Sequence, residues 1–320
     1  MINPWFVRRE NCPACESGNF TTIHQMPFDE SPIKDYLLAF YSPQGKIEFK
    51  YLEQANYVLC ECGNCKMIFQ RDIPNELLME RLYGNWINPQ RSFALQQEAF
   101  DLNYYSDYAQ EIMQVIAYLN AMPSSLRFLD FGMGWGKWAQ MEKAYGVESF
   151  GTELSQEQIQ NGKNNGIKVI AWDEIPQHSF DFINTEQVFE HIAEPLQTLR
   201  YLQGSLKKDG ILKVSVPSSN NIKRSLRIMD WEALKGSENS LNPVAPLEHI
   251  NCFRRESIIK MASMAGLEEI FIPIKIQYIF LTGKVGMKKI AKSMLHPIYR
   301  NILKKQNMIF LRKKKFSGNN

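Results

Sequence analysis

Short apolar segments and stretches of helical spacing alternate through the second half of the chain. Segments of four to six residues with aromatic or β-branched side chains predict five strands, at 127–130, 148–152, 167–170, 180–184 and 211–216. The spacing between them predicts helices at 138–145, 155–165 and 196–206. Strands that alternate with helices are typical of an α/β domain with a doubly wound parallel sheet.

The same pattern continues on both sides of these elements. Apolar residues at helical spacing predict helices at 74–84 and 106–119, before the first strand of the α/β domain. The apolar run 308–311 predicts a last strand, which we expect to pair antiparallel at the edge of the sheet.

A glycine-rich turn follows the first strand. Gly132, Gly134 and Gly136 occupy alternate positions, Asp130 precedes them, and Glu153 ends the next strand. Glycine suits such a turn because the backbone takes unusual angles and approaches a ligand closely. An acid after the second strand can accept hydrogen bonds from two ribose hydroxyls. Asp130 would repel a pyrophosphate and attract a cation, which favours S-adenosylmethionine (SAM) over a dinucleotide.

The turn and three later segments resemble the class I SAM-dependent methyltransferases. Residues 127–153 resemble their motif I, FDFINTEQVFEHIAEP (180–195) resembles their fourth-strand motif, and LKKDGILKVSVP (206–217) resembles their fifth strand. LEHINCFRRESIIKMASMAGLEEI (247–270) is similar to the segment that closes the same domain. The resemblance implies a Rossmann-like, seven-stranded sheet and methyl transfer from SAM.

The resemblance also assigns individual residues to SAM. They are Asp130, Gly132 and Gly134 at the methionine end, Glu153 at the ribose, Trp172 and Asp173 at the adenine, and Gln187 beside the methionine moiety or the methyl group. The chain departs from a common arrangement at Ala171, where many such enzymes carry an acid that contacts the adenine amino group. Asp173 is the alternative contact.

Two C-x-x-C pairs lie near the N-terminus, Cys12 with Cys15 and Cys62 with Cys65, with 46 residues between the pairs. Four thiolates with this spacing are typical of a structural zinc ribbon with a closed tetrahedral coordination sphere. A redox or incidental arrangement is the alternative, and Cys60 is a spare thiol that could compete as a ligand. With this ribbon, the chain resembles methyltransferases that carry an N-terminal zinc-binding domain, a group tied to sugar, polysaccharide and secondary-metabolite modification.

The sequence therefore predicts three regions. They are a zinc-ribbon domain at 1–80, a helical connector at 81–122, and a SAM-dependent methyltransferase domain at 123–320 with a basic insertion at about 284–306.

Histidines are the candidate bases for the reaction. An oxygen or carbon acceptor loses a proton near neutral pH, and histidine commonly accepts it. His249, with Glu248 as its neighbour, follows the polar segment 218–246, which we expect to cover the acceptor. We predict that His249 is the base or orients the acceptor; the alternative is that it ties a loop to the sheet. His191, in the fourth-strand motif, is predicted to support the structure of the site.

Charge is unevenly distributed. The chain carries a net charge of +3, yet residues 270–320 contain twelve Lys or Arg and no acid, so the preceding part carries −9. A basic end of this kind indicates contact with an anionic membrane surface or a polyanion. The alternative is that it is a solvated face. Residues 1–10 lack the apolar core of a signal peptide, so we expect a cytoplasmic protein that can contact a membrane peripherally.

Three functions fit these observations. The first is a SAM-dependent methyltransferase whose acceptor is a small molecule or glycan precursor, such as a sugar or nucleotide-sugar. The second is an RNA methyltransferase that uses the ribbon and the basic tail, which ranks lower because residues 12–65 lack interleaved basic and aromatic side chains. The third is a non-catalytic SAM-binding module.

Overall fold

The computed structural model describes residues 3–43, 45–88, 90–91, 94, 102–277, 294–296, 298–299, 301–303 and 308–314. The chain forms two compact units. The ribbon unit consists of Met1–Glu98, Phe189–Pro195 and Pro217–Met261. The sheet unit consists of Ala99–Val188, Leu196–Val216 and Ala262–Asn320. Two segments that lie within the predicted methyltransferase range, 189–195 and 217–261, thus belong to the ribbon unit.

The strands are numbered in chain order. They are β1 (Phe6–Arg8), β2 (Phe20–Pro27), β3 (Asn56–Cys62), β4 (Ile68–Gln70), β5 (Asp72–Pro74), β6 (Arg127–Phe131), β7 (Glu148–Thr152), β8 (Lys168–Val169), β9 (Phe180–Glu186), β10 (Leu206–Ser215), β11 (Asn251–Cys252), β12 (Leu267–Ile270) and β13 (Met308–Lys313). The α-helices are Ile33–Tyr41, Glu76–Arg81, Leu102–Leu119, Lys137–Ala144, Gln156–Asn164, Pro195–Gly204, Ile222–Ile228, Arg255–Met264 and Ile274–Gln277.

The sheet unit contains a seven-stranded sheet with the order β12-β13-β10-β9-β6-β7-β8. Strands β6 to β10 pair in parallel, and β13 pairs antiparallel with both of its neighbours. Strand β6 is central: β7 and β8 continue the sheet on one side, and β9 and β10 continue it on the other. The predicted doubly wound α/β fold is confirmed, and the strand order reverses between β6 and β9, where such sheets bind ligands beyond the carboxyl ends of their strands.

The last strand is antiparallel, as predicted, but its predicted place at the sheet edge is wrong. Strand β13 lies between β10 and β12, and β12 forms the edge. Ile309, Phe310 and Leu311 are all buried, because this strand has a paired neighbour on each side.

The core of the sheet unit packs between the sheet and its helices. Phe128 and Phe182, on neighbouring strands, pack edge-to-face with ring centroids 5.1 Å apart. Trp138, from the helix Lys137–Ala144, joins the same cluster together with Ile112 and Val115 from the helix Leu102–Leu119. These helices therefore cover one apolar region of the sheet.

The ribbon unit contains a four-stranded sheet with the order β11-β4-β3-β2 and a two-stranded pair, β1-β5. Strand β11 comes from the segment that follows His249 and pairs antiparallel with β4. Large aromatic side chains fill the core of the unit, among them Tyr41, Tyr57 and Trp86. The predicted helix at 74–84 begins at Glu76 and continues into a π-helical turn, Leu82–Trp86.

The predicted basic insertion, 284–306, lies mostly outside the described residues, so its helical form and its contact with a membrane remain predictions. In the described part of the chain, no helix combines the length and the hydropathy that a bilayer-spanning segment requires.

Candidate functional site

The glycine turn follows β6, and its backbone is tied to the end of β7. Gly132 donates its N–H to the Thr152 carbonyl at 3.0 Å. Gly134 donates its N–H to Oε2 of Glu153 at 2.9 Å, and Leu154 donates its N–H to Oε1 at 2.7 Å. Both carboxylate oxygens are therefore held in a fixed orientation. Ser155 also donates its N–H to Oε1, at 3.3 Å, so the remaining capacity of Glu153 to accept a hydrogen bond lies on Oε2.

The first two glycines of the turn serve different purposes. Both have left-handed backbones, with φ of +70° at Gly132 and +54° at Gly134. A Cβ on Gly132 would come within 2.7 Å of Val188, so this position must be glycine for packing. Among the described residues, the nearest atom to a Cβ on Gly134 is Gln158 Nε2, at 3.9 Å. The space beside Gly134 can therefore receive a ligand that approaches the backbone, as SAM requires.

Asp130 lies behind the turn. Its side chain is 3% exposed, and Asn184 donates to its Oδ1 at 2.8 Å. Burial raises the pKa of Asp130 to about 7, although the hydrogen bond from Asn184 and the charge of Lys213 act in the opposite direction. Asp130 thus lies at the predicted strand end as a buried acid, and nearby charges shift its pKa.

The predicted adenine residues follow β8 and are exposed. The Trp172 indole stacks on the Tyr201 ring with centroids 4.8 Å apart and an interplanar angle of 2°. Asp173 is exposed next to it. Leu154, directly after Glu153, is 90% exposed, and sequence reasoning did not name it as a candidate. The signal that could have revealed it is an apolar side chain immediately after the candidate ribose acid.

Gln187 follows β9 with an exposed side chain and a left-handed backbone, φ +55°. Its N–H donates to the Ser215 carbonyl at 2.9 Å. Such a backbone costs a non-glycine residue about 1–2 kcal/mol, and positions of this kind cluster at functional sites. The predicted SAM residues therefore lie at the carboxyl ends of four parallel strands, β6 to β9.

In the ribbon unit, the candidate base His249, its neighbour Glu248 and the predicted supporting residue His191 lie together. The rings of His191 and His249 pack edge-to-face with centroids 4.8 Å apart. His191 Nδ1 lies 3.0 Å from the Glu248 carbonyl oxygen, and His249 Nδ1 contacts the Asn242 carbonyl oxygen. Because a carbonyl oxygen can only accept, these contacts assign the proton of each neutral imidazole to Nδ1. Each Nε2 then carries the lone pair.

Burial sets the charge of this cluster. It lowers the pKa of His249 to about 3 and the pKa of His191 to about 4. It raises the pKa of Glu248 to about 7, a shift opposed by Tyr41, whose hydroxyl donates to the carboxylate at 2.8 Å. Both imidazoles are therefore neutral at pH 7, so each Nε2 has a lone pair that can accept a proton, and the lowered pKa makes each a weaker base than an ordinary histidine.

Buried side chains of the ribbon unit fix the backbone around the histidines. Arg9 donates to the Ala193 carbonyl at 2.7 Å and to Asn251 Oδ1 at 2.9 Å. Gln70 donates to the His249 carbonyl at 3.2 Å. The positions of the two imidazoles thus depend on residues close to the N-terminus.

The four predicted metal ligands are buried and adjacent. Sγ of Cys12 lies 3.5 Å from Sγ of Cys65, and Sγ of Cys15 lies 3.6 Å from Sγ of Cys62. In a tetrahedral zinc tetrathiolate with Zn–S bonds of about 2.3 Å, neighbouring sulfurs are about 3.8 Å apart. All four cysteines are free thiols that form no disulfide, so the donor set fits zinc. Cys60 is buried in β3 and bonds instead to Thr22.

Comparison with known families decides the class of protein. A family model described as a methyltransferase domain matches residues 100–270, which is more than half of the chain. The chain belongs to this methyltransferase family. Its seven-stranded, mostly parallel sheet is the fold that the resemblance to class I SAM-dependent methyltransferases implies.

Solved structures similar to this methyltransferase include PKMT2 from Rickettsia typhi in complex with AdoHcy, at 16% identity and a TM-score of 0.42 over 65% of this chain and 52% of that one. The chain thus spans about half the length of PKMT2. The plantazolicin methyltransferase BpumL, in complex with a monoazolic desmethylPZN analog and SAH, is similar at 13% identity and a TM-score of 0.48, over 74% of this chain and 94% of that one. No curated protein matches the sequence.

Sequence reasoning missed three members of the histidine cluster of this methyltransferase: Tyr41, Tyr83 and Glu190. The Tyr83 hydroxyl lies 3.4 Å from His191 Nδ1, although 108 positions separate the two residues. A carboxylate oxygen of Glu190 lies within 4.8 Å of ring nitrogens of His191 and His249. By residue type, Glu190, His191 and His249 could also hold a divalent cation. Glu190 could have been found from its place beside His191, whereas the tyrosines have no local signal.

Proposed function

We propose that this methyltransferase transfers the SAM methyl group to a small polar acceptor, such as a sugar or nucleotide-sugar of a glycan precursor. The observation that supports the proposal is the pair of neutral imidazoles, His191 and His249, with a carboxylate oxygen of Glu190 within 4.8 Å of their ring nitrogens. A sugar hydroxyl, or a carbon next to a carbonyl, needs a base of this kind before it attacks a methyl group. Tyrosines beside the pair add polar groups that can orient hydroxyls.

We assign SAM to residues at the carboxyl ends of the parallel strands. The Gly134 backbone borders the methionine part, Glu153 accepts from the ribose hydroxyls, and Leu154 with Trp172 contacts the adenine. Asp173 is the candidate partner of the adenine amino group, and Gln187 lies beside the methionine moiety. Asp130, buried near the end of β6, supplies a negative charge that favours binding of the cationic cofactor.

SAM supplies a methyl group on a sulfonium, which leaves as a neutral thioether. The residues of the chain supply alignment and proton transfer. We propose that Nε2 of His249 accepts the proton of the acceptor, while the Asn242 carbonyl holds the ring through Nδ1. His191, bonded through Nδ1 to the Glu248 carbonyl, orients the acceptor, and Glu248 is its neighbour in the same cluster.

We also propose a structural zinc ion at Cys12, Cys15, Cys62 and Cys65. Four buried thiols at these separations would close the coordination sphere, so the metal would stabilise the ribbon unit and take no part in methyl transfer.

Methyl-labelled SAM, incubated with purified zinc-loaded protein and cell extract, tests the choice of acceptor. After separation into nucleic acid, lipid and polar small-molecule fractions, we expect the label among the polar small molecules or lipid-linked glycans. Label in RNA would overturn the proposal in favour of an RNA methyltransferase. Failure to label any fraction, with SAM binding confirmed, would favour a non-catalytic module.

A further inference from the structure

A row of buried polar side chains crosses the middle of the sheet unit. The register pairs Asp130 of β6 with Asn184 of β9, and Asn184 with Lys213 of β10. Paired residues of adjacent parallel strands point to the same face of a sheet. The three residues are 3%, 0% and 0% exposed. A lysine at the end of this row is unusual, because burying an ammonium group is costly unless it is paired.

Two carboxylates neutralise Lys213. Its Nζ lies 2.8 Å from Glu111 Oε1, on the helix Leu102–Leu119, and 2.5 Å from Glu186 Oε2, at the end of β9. Nζ also lies 4.7 Å from the centroid of the Trp138 ring. Ser215 donates its hydroxyl to the other oxygen of Glu186 at 3.0 Å. The buried ammonium thus holds both carboxylates in place.

The Glu111–Lys213–Glu186 cluster has one positive and two negative charges. Its net charge is therefore negative, and the exposure of the side chains shows where that charge faces. Lys213 is fully buried, whereas the Glu186 side chain is 25% exposed and the Glu111 side chain is 15% exposed. Glu186 ends β9, directly beside the point where the strand order reverses. Ligands of doubly wound sheets bind beyond the strands at this point.

The charge of the cofactor changes during the reaction. SAM carries a positive sulfonium, and the product, S-adenosylhomocysteine (SAH), carries a neutral sulfur. A nearby carboxylate attracts the first and gains nothing comparable from the second. We propose that Glu186, held by Lys213 and Glu111, is a positioning residue that makes the cofactor site prefer SAM over SAH. Loss of the sulfonium charge then weakens binding of the product and favours its release.

Stability alone gives a weaker explanation of the cluster. A buried ion pair is often no more stabilising than apolar side chains of the same volume. Ile211, two positions before Lys213 and therefore on the same face of β10, is apolar and fully buried, so an apolar side chain is compatible with this face of the strand. The cluster instead supplies a fixed negative charge at the strand ends where a cationic cofactor binds.

Titration calorimetry with SAM and SAH tests the proposal without any acceptor. We expect Glu186→Gln, which keeps the shape and removes the charge, to weaken SAM binding about three- to tenfold and to change SAH binding less than about twofold. Glu186→Asp, which keeps the charge, should retain most of the preference for SAM.

Lys207→Met is the matched control. Lys207 lies on the same strand and pairs with Asp181 at 2.7 Å, near the amino end of β10. This variant should bind both cofactors as the native protein does. Circular dichroism confirms that each variant is folded. An equal loss of SAM and SAH affinity in Glu186→Gln, or no loss of either, would overturn the proposal, since a purely structural role predicts no change in the ratio.

Discussion

Burial shifts the pKa values of the acids and the histidines of this enzyme in opposite directions. It raises the pKa of Asp130 and of Glu248 to about 7, and it lowers the pKa of His249 to about 3. Each shift favours the neutral form, because the charged form loses its hydration. The acids can therefore change charge near physiological pH, whereas His249 stays neutral until it receives a proton from an acceptor.

The shift at Asp130 gives an expected pH dependence of cofactor binding. Below pH 7 the carboxyl is mostly protonated and attracts the cationic SAM weakly; above pH 7 it is ionised and attracts SAM more strongly. SAM affinity should therefore rise between about pH 6 and 8. Titration calorimetry across this range should show the rise in the native protein and a flatter profile in Asp130→Asn. The same slope in both proteins would show that another group is responsible.

At the scale of secondary-structure elements, the strands and helices of the α/β domain could be predicted from sequence because their signals are local. The predicted strand at 127–130 became β6, and the glycine turn and Glu153 followed as expected. The position of β13 could not be predicted, since an apolar run such as Ile309–Phe310–Leu311 fits an inner strand and an edge strand equally well until its neighbours are known.

The contacts of Arg9 also could not be predicted from local sequence patterns, because its partners are distant in sequence. One of them, the Ile250 carbonyl, is 241 positions away. Asn251, which accepts from Arg9, donates in turn to the carbonyls of Phe189 and Ile192. Together, these bonds join Arg9, the residue after β1, to β11 and to the segment that carries His191.

Replacing Arg9 should therefore disturb both stability and the histidines. We expect Arg9→Met to lower the free energy of unfolding by about 2–4 kcal/mol, since several buried carbonyls lose a donor. Arg8→Met is the matched control: the Arg8 side chain is 37% exposed and pairs with Asp72, so its loss should cost about 0–1 kcal/mol. Urea denaturation measures both, and the imidazole nitrogen resonances of His191 and His249 should shift in the Arg9 variant alone. Unchanged resonances in a folded Arg9 variant would contradict this positioning role.

At the scale of the whole molecule, two compact units are built from interleaved parts of one chain. The predicted ranges 1–80, 81–122 and 123–320 follow the order of the sequence, whereas the ribbon unit also takes up 189–195 and 217–261. Sequence patterns reveal elements, but they do not reveal which unit an intervening segment joins. That choice depends on long-range contacts such as the pairing of β11 with β4.

The proposed zinc ion is a property of the ribbon unit as a whole. We expect about one zinc per chain by elemental analysis, and a lower melting temperature after chelation, because metal binding contributes to folding in sites of this type. Cys65→Ser should lose the metal. Cys60→Ser should retain it, because Cys60 is buried but lies outside the four-thiol cluster. Equal zinc content in the two variants would exclude the proposed ligand set.

The most direct test of the proposed reaction is methyl transfer from labelled SAM by His249→Gln, measured together with SAM affinity. His24→Gln is the control, because His24 also belongs to the ribbon unit but lies on β2. If His249 is the base, its replacement should lower transfer to the polar acceptor fraction by about 10²–10⁴-fold and leave SAM affinity unchanged. Transfer at the native rate by His249→Gln would contradict the assignment of the histidine pair to the acceptor.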